Sequence, residues 1–377
     1  MFLAYANQWL MTPIIPLYVH DMGGSAFVAG LALLAFAVPS FVARPFLGHA
    51  ADRWSAVGVL ASGLVVLSIG SFLFIVPLLA MVFVGGLVRG IGWGGANIGG
   101  YTTLASAAPA LRRGEAAGYY TSVVSSVSIV FPAIALWFSA GHGGFRVVFL
   151  LSGLMALLGL PIALALAKSL GAAAKAANTG EKSASFIDKG VLLATALNLC
   201  STLSNPAVMA FLPLYARSLG IENIGVFYIL AGVTGIIVRP LLGKKSDSIG
   251  RGPAIAFGLS AQLIGLALIL AAHGLPLILA GGVFVALGWA MIGSTTTALA
   301  MDLTDPASRG RGMATFSLSF QLGAGLGALI AGALADLVGL RGMYAGSIVI
   351  TLSGFGLLAA AWKLLPRPQR SRGKDEG

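Results

Sequence analysis

Apolar residues run along this chain in blocks too long for strands and long enough to cross a bilayer as helices. Crossing about 30 Å of hydrocarbon takes roughly 20 mainly apolar helical residues. Twelve such blocks occur, near 2–20, 25–47, 55–75, 78–106, 115–139, 145–168, 190–218, 222–243, 252–272, 275–301, 309–337 and 340–364. Turn residues or charges separate them, as in His20-Asp21-Met22-Gly23-Gly24, around Asp52-Arg53, from Pro109 to Arg113, from Gly141 to Gly144, and at Asp305-Pro306. Barrel strands would instead show segments of about 10 residues with alternating polarity. The pattern predicts an all-α membrane protein with twelve transmembrane helices.

The longest polar stretch divides the chain into a six-helix half at 1–168, a linker at 169–189, a second six-helix half at 190–364, and a basic tail at 365–377. The halves repeat at an offset of 195–197 residues: Pro16-Leu17-Tyr18 matches Pro213-Leu214-Tyr215, Arg44-Pro45 matches Arg239-Pro240, Asp52 matches Asp247, and Gly92-Trp93 matches Gly288-Trp289. An even number of spans per half makes the repeats parallel, related by an axis along the membrane normal, with a cavity between them.

Composition agrees and adds orientation. Residues are 58% hydrophobic and 9% charged, against about 25% charged in soluble domains. The 52 glycines lack a Gly-X-Y period and lie among Leu, Ala and Val, which predicts close helix contacts. The net charge of +11 could suggest nucleic acid, but it is topology information. If the first helix runs outward, the loops facing the cytoplasm hold most basic residues, including Arg53, Arg112, Arg113, Lys244, Lys245 and Arg251, while the opposite loops hold only Arg146, Arg217 and Arg341. Both termini are therefore expected on the cytoplasmic side of the inner membrane, with lipid and not nucleic acid as the surroundings. Met1-Phe2-Leu3 lacks the basic start of a cleavable signal, so 2–20 reads as a retained span in a chain that is shortened or begins upstream. The single cysteine, Cys200, rules out a disulfide framework or a Cys-based metal site.

Two polar segments at the repeat offset carry a more specific signal: Gly48-His49-Ala50-Ala51-Asp52-Arg53-Trp54, and Gly243-Lys244-Lys245-Ser246-Asp247-Ser248-Ile249-Gly250-Arg251. They resemble the loop between helices 2 and 3, and its second copy between helices 8 and 9, in the major facilitator superfamily of secondary transporters. The resemblance covers essentially the whole chain. It implies two six-helix halves that rock about a central site, with Gly48 and Gly243 admitting a neighbouring helix. It also implies that Asp52 and Asp247 cap helices of the opposite half, the partner of Asp52 being the start of helix 11 near Arg309 to Met313. The first copy departs from the family: Ser55 and Ala56 stand where Gly and Arg are expected, and the acid at the end of helix 4 is missing as well. Losing both partners costs less than leaving one charge alone, so an Arg251–Asp302 ion pair is expected in the second half and none in the first.

Arg89 is the one strongly charged residue well inside a span, roughly 16 Å along helix 4 at about 1.5 Å per residue. Its insertion costs at least about 2.5–3.5 kcal/mol, so it should face the cavity or a polar partner. Arg89-Gly90-Ile91-Gly92-Trp93-Gly94-Gly95 also resembles the family's helix 4 motif, which implies substrate or proton coupling; the alternative is an arginine bonded across the bundle. The other candidates for the cavity wall are Gln8, Trp93, Asn97, Asn205, Trp289 and Gln321, each of which could equally be interhelical glue. No Asp or Glu lies mid-span, which favours neutral or anionic solutes over cations. Only Pro132 remains of the family's antiporter signature on helix 5, so proton coupling, where used, would fall to Asp52 or other acids at span ends.

An intramembrane enzyme would need a nucleophile and base or metal ligands at depth, yet His20, His49, His142 and His273 all lie near span ends. The reading is a monomeric secondary transporter of a small organic solute, with no cofactor and no metal, working by alternating access as an efflux permease. Uptake of an organic anion neutralised by Arg89, and lipid transport on the same fold, are the alternatives.

Overall fold

The computed structural model describes residues 1–107, 112–141, 143–170, 188–304 and 309–365; the side chains at 105–106, 113–118, 121, 169–170, 239–248 and 309–310 lie outside that description. Most of the expected linker 169–189 and tail 365–377 also lies outside the described residues. Helix occupies every predicted block, and there is no strand among the described residues.

The first half comprises α1 (Phe2–Met11), α2 (Ile14–Asp21), α3 (Ala26–Val42), α4 (Arg44–Arg53), α5 (Ala56–Leu73), α6 (Leu79–Ala107), α7 (Arg113–Ser139) and α8 (Gly144–Leu170). The second comprises α9 (Leu192–Thr202), α10 (Asn205–Met209), α11 (Leu212–Ser218), α12 (Gly225–Ile249), α13 (Arg251–Leu270), α14 (Leu275–Asp302) and α15 (Arg309–Ala360). Among the described residues, eight helices are individually long and apolar enough to cross a membrane, or nine if α3 and α4 count as one bent span.

The twelve blocks are thus not twelve plain rods. The first span of each half is broken where proline removes a donor from the helix ladder: α1 gives way to α2 at Thr12-Pro13, and α9, α10 and α11 are separate pieces with Pro206 and Pro213 in their first turns. At the first break Thr12 compensates in part, its hydroxyl donating to the Gln8 carbonyl at 2.9 Å. The block at 25–47 bends by 41° between α3 and α4. Blocks eleven and twelve run together in α15, turning at Gly339, whose φ of 79° suits glycine.

Glycine seams hold the helices together. α5 packs along α6 and its repeat counterpart α13 along α14. A Cβ at Gly288 would sit 2.7 Å from both the Gln262 nitrogen and the Gly258 carbonyl oxygen, and its repeat partner Gly92 meets the backbone of Leu67 and Gly63 in the same way. Without a hydrophobic drive between helices in lipid, this close contact is a main source of cohesion. The two halves meet along α3 with α15 and along α7 with α12.

Gly288→Ala is expected to lower the stability of the detergent-solubilised protein by about 1–3 kcal/mol. Gly356→Ala, where the added carbon meets nothing within 4 Å, should leave stability unchanged or raise it slightly. Thermal unfolding of the two variants side by side checks both.

Candidate functional site

Arg89 stands at the centre of the first half and is 1% exposed. One terminal guanidinium nitrogen donates to Asn7 Oδ1 at 2.9 Å and Gln8 Oε1 at 3.1 Å on α1, and Nε donates to Ser71 Oγ on α5 at 3.2 Å. Asn7 in turn donates to Ser71 Oγ at 2.8 Å and to the Ser152 carbonyl on α8 at 2.7 Å. The rings of Phe36 and Phe74 lie 5.2 and 5.9 Å from the guanidinium carbon. Amide oxygens and ring faces stand in for the carboxylate that a buried cation would otherwise need. Four helices are tied through one side chain. Of the two expectations for Arg89, the cavity or a polar partner, the structure has the second: Arg89 and Gln8 are bonded across the bundle and absent from the cavity lining.

Trp93 and Asn97 are likewise committed within the first half. Trp93 packs edge-on against Tyr5 at 4.8 Å, while Asn97 accepts from the Tyr5 hydroxyl at 3.1 Å and donates to the Trp93 carbonyl at 3.1 Å. Gln321, half-buried on α15, is also absent from the cavity lining.

The cavity lies between the halves and has a volume of about 770 Å³. Of the seven side chains expected in a substrate or coupling role, it brings together two: Asn205, at the start of α10, and Trp289, on α14. Both positions follow from local structure. The proline break before α10 turns Asn205 toward the cavity, and α14 presents Trp289, Gly293 and Thr297 at helical spacing along one face. Ser125 on α7, a polar residue at midplane depth, lines it as well, and so do Trp9 on α1, Ser128 on α7 and Ser294 on α14, which were not singled out from sequence. The α14 stripe of small and polar residues was the readable signal. No Asp, Glu, Lys, Arg or His lines the cavity among the described residues.

The charged side chains lie at the two ends of the bundle. At one end Asp21 meets Arg217 of the other half at 2.6 Å. Beside it Asp336, on α15, accepts from the backbone nitrogens of Ala26 and Phe27 at 2.9 and 3.0 Å, capping the start of α3. A carboxylate there satisfies orphan donors and complements the helix dipole. A Cβ at Gly332, one turn away, would collide with the Ala26 carbonyl, so the backbones touch.

At the opposite end the expected contacts of Asp52 and Gly48 across the halves are missing among the described residues. The segment 48–53 is helical, not a loop, and α4 packs on α5 and α6 of its own half. Asp52 and Arg53 are exposed, Asp52 has no hydrogen bond or ion pair among the described residues, and a Cβ at Gly48 would meet open space. The expected cap of α15 by Asp52 and the helix approach at Gly48 are therefore not made in this state. Arg311 near the start of α15 instead pairs with Asp188, at the end of the linker before the second half, at 3.6 Å. The side chains of Gly243 and Asp247 fall outside the described residues. Gly250, at φ 92°, starts α13, and the next residue, Arg251, donates to Asp302 at 2.9 Å as expected. In the first copy Ser55 takes the place of that glycine and caps α5, accepting from the Gly58 nitrogen at 3.1 Å.

Arg89→Ala is expected to cost about 2–4 kcal/mol of stability, from the orphaned amide oxygens and the space left behind. Arg89→Lys, which keeps the charge but reaches fewer acceptors, should fall between. The order of the melting temperatures in detergent checks this.

Comparison with known proteins places these features. The model of the Major Facilitator Superfamily matches residues 1–272 and 246–377. The staphylopine export protein of Staphylococcus aureus is 23% identical over 388 residues, covering 97% of this chain and 95% of that protein. The quinolone resistance protein NorA of the same species is 27% identical over 139 residues, 36% of this chain and 35% of its own. Among solved structures, a bacterial homolog of the human lysosomal transporter Spinster, inward-facing and occupied, has a TM-score of 0.79 at 13% identity over 96% of this chain and 94% of that one. A POT family transporter in complex with 5-aminolevulinic acid also has a TM-score of 0.79, at 14% identity over 98% and 95% of the two chains. With the halves, the cavity between them and the family model matched along the chain, the protein belongs to the Major Facilitator Superfamily of membrane-embedded transporters.

Proposed function

We propose that this monomer exports a small organic solute across the inner membrane by alternating access, on twelve spans with both termini in the cytoplasm. The observation that carries the reading is the pair of unlike ends. The halves are latched where Asp21 meets Arg217 and Asp336 caps α3, and unlatched where Asp52 stands free, with the cavity between them. Basic residues at the unlatched end, Arg53, Arg251 and Arg311 among them, support a cytoplasmic placement for it. The cavity is then loaded from inside. Two relatives named for export or resistance support the outward direction.

Anion uptake through Arg89 loses its support, because that side chain is spent on Asn7, Gln8 and Ser71. Proton antiport is the drive in this proposal. With no carboxylate lining the cavity among the described residues, the coupling falls to acids at the ends, Asp21, Asp52 and Asp336.

Everted membrane vesicles with an acid interior test the proposal. An uncharged aromatic amide such as 2-naphthamide should accumulate in the lumen, and accumulation that ignores the gradient would remove the proton drive. Asp336→Asn should weaken the latch by about 1 kcal/mol, a roughly fivefold shift toward the state open at the Asp21 end. Spin labels at Met22 and Leu219 would report it as a longer distance population.

A further inference from the structure

We infer that the cavity selects an uncharged solute with a flat apolar body and a carbonyl-type acceptor, and that Trp289 and Asn205 are its specificity-determining residues. The inference deepens the export reading and rests on it for the direction of movement only.

The first support is electrostatic. A charged solute leaving water for this cavity would find no counter-ion among the described lining residues, and the guanidinium of Arg89 lies outside that lining with its bonds taken by Asn7, Gln8 and Ser71. Burying a charge without a partner is far more costly than burying a neutral dipole that finds a hydrogen bond.

The second is an account of hydrogen bonds along the wall. Its hydroxyls give their protons to the protein's own carbonyls: Ser128 to Ser125, Ser294 to Ala290, Thr297 to Gly293 and Tyr228 to Met209. The Asn198 amide donates to Ser319 and accepts from Thr296. Three lining groups remain unspent among the described residues, the half-buried Trp9 indole N–H being one of them. The Trp289 Nε1–H is buried without an acceptor, and the Asn205 amide has no partner among the described residues. A buried donor left unpaired carries the penalty of its lost hydration, which a solute carbonyl would relieve. The Asn205 amide, donor and acceptor together, would hold the same polar group from its other side.

The third is shape. Indole, phenol and phenyl rings of Trp9, Trp289, Tyr228 and Phe320 face the cavity. Its volume of about 770 Å³ falls within the usual range for small-molecule sites, roughly 300–1,000 Å³. The buried orphan donor of Trp289 and the Asn205 amide both belong to the second half, so the solute's polar end is fixed there, while the half-buried Trp9 of the first half meets its body.

Binding of three near-isosteric probes, 2-naphthamide, 2-naphthoate and 2-naphthamidinium, to the full chain in lipid nanodiscs tests the inference by calorimetry. The amide should bind, with the two ions weaker by roughly tenfold or more. Trp289→Phe, which keeps an aromatic ring and removes the donor, should weaken the amide about fivefold or more, as should Asn205→Ala. Neither change should affect binding of 2-ethylnaphthalene, which has no polar group. Equal or tighter binding of either ion, no binding of the amide to the unaltered chain, or an unchanged Trp289→Phe affinity would overturn the inference. The isostere ranking is read on the unaltered chain, so it stands even where a variant fails to fold. Amide binding with the expected ranking, but without accumulation in everted vesicles, would sink the export reading and leave the inference in place.

Discussion

Hydrocarbon offers no partner to a backbone N–H or C=O, and that constraint organises this molecule. It requires helix wherever the chain meets lipid, and it tolerates irregular backbone only where protein or a water-filled space covers it. The breaks obey it. Thr12-Pro13, Leu203-Ser204 and Ala210-Phe211 interrupt the first span of each half, and those spans supply Trp9 and Asn205 to the cavity. The positions that cannot sustain a continuous ladder are the positions from which a solute can be reached.

The same constraint decides where charge can stay. At the ends of the bundle water is available, and carboxylates there cap helices or form ion pairs: Asp336 on α3, Asp21 with Arg217 across the halves, and Asp302 with Arg251 within the second half. Each is strong enough to bias a conformation and weak enough to be given up, since exposed pairs and helix caps are worth about 1 kcal/mol each. In the interior the one fully buried cation among the described residues, Arg89, is wrapped in neutral oxygens.

Much of this was legible in the sequence. Block lengths, the repeat offset and the paired loss of Arg and acid in the first half predicted the helical architecture and the Arg251–Asp302 contact. Asn205 and Trp289 were visible as polar and aromatic residues at depth. The facing of Arg89 was not legible. In soluble helices a polar stripe tells outside from inside, but α6 is apolar and glycine-rich all round, so its sequence has no contrast to show which neighbour Arg89 meets. The gating segment was misread for a related reason: its polar residues look like loop, yet at the membrane rim Gly48 to Arg53 continue as helix. The state of the molecule was not legible either, because Asp52 and Asp336 are equally good caps, and only the packing of α3 on α15 shows which end is closed.

The burial of Arg89 also bears on how the chain enters the membrane. A helix carrying an arginine near its centre partitions poorly by itself, at a cost of at least about 2.5–3.5 kcal/mol. The acceptors that relieve the cost, Asn7, Gln8 and Ser71, all precede α6 in the chain. During synthesis the earlier helices are thus already present as a template when α6 leaves the ribosome, and its stable insertion is coupled to assembly with them. The arginine would then act as a checkpoint in biogenesis, admitting the fourth span to the bilayer only when the first and third are there to receive it.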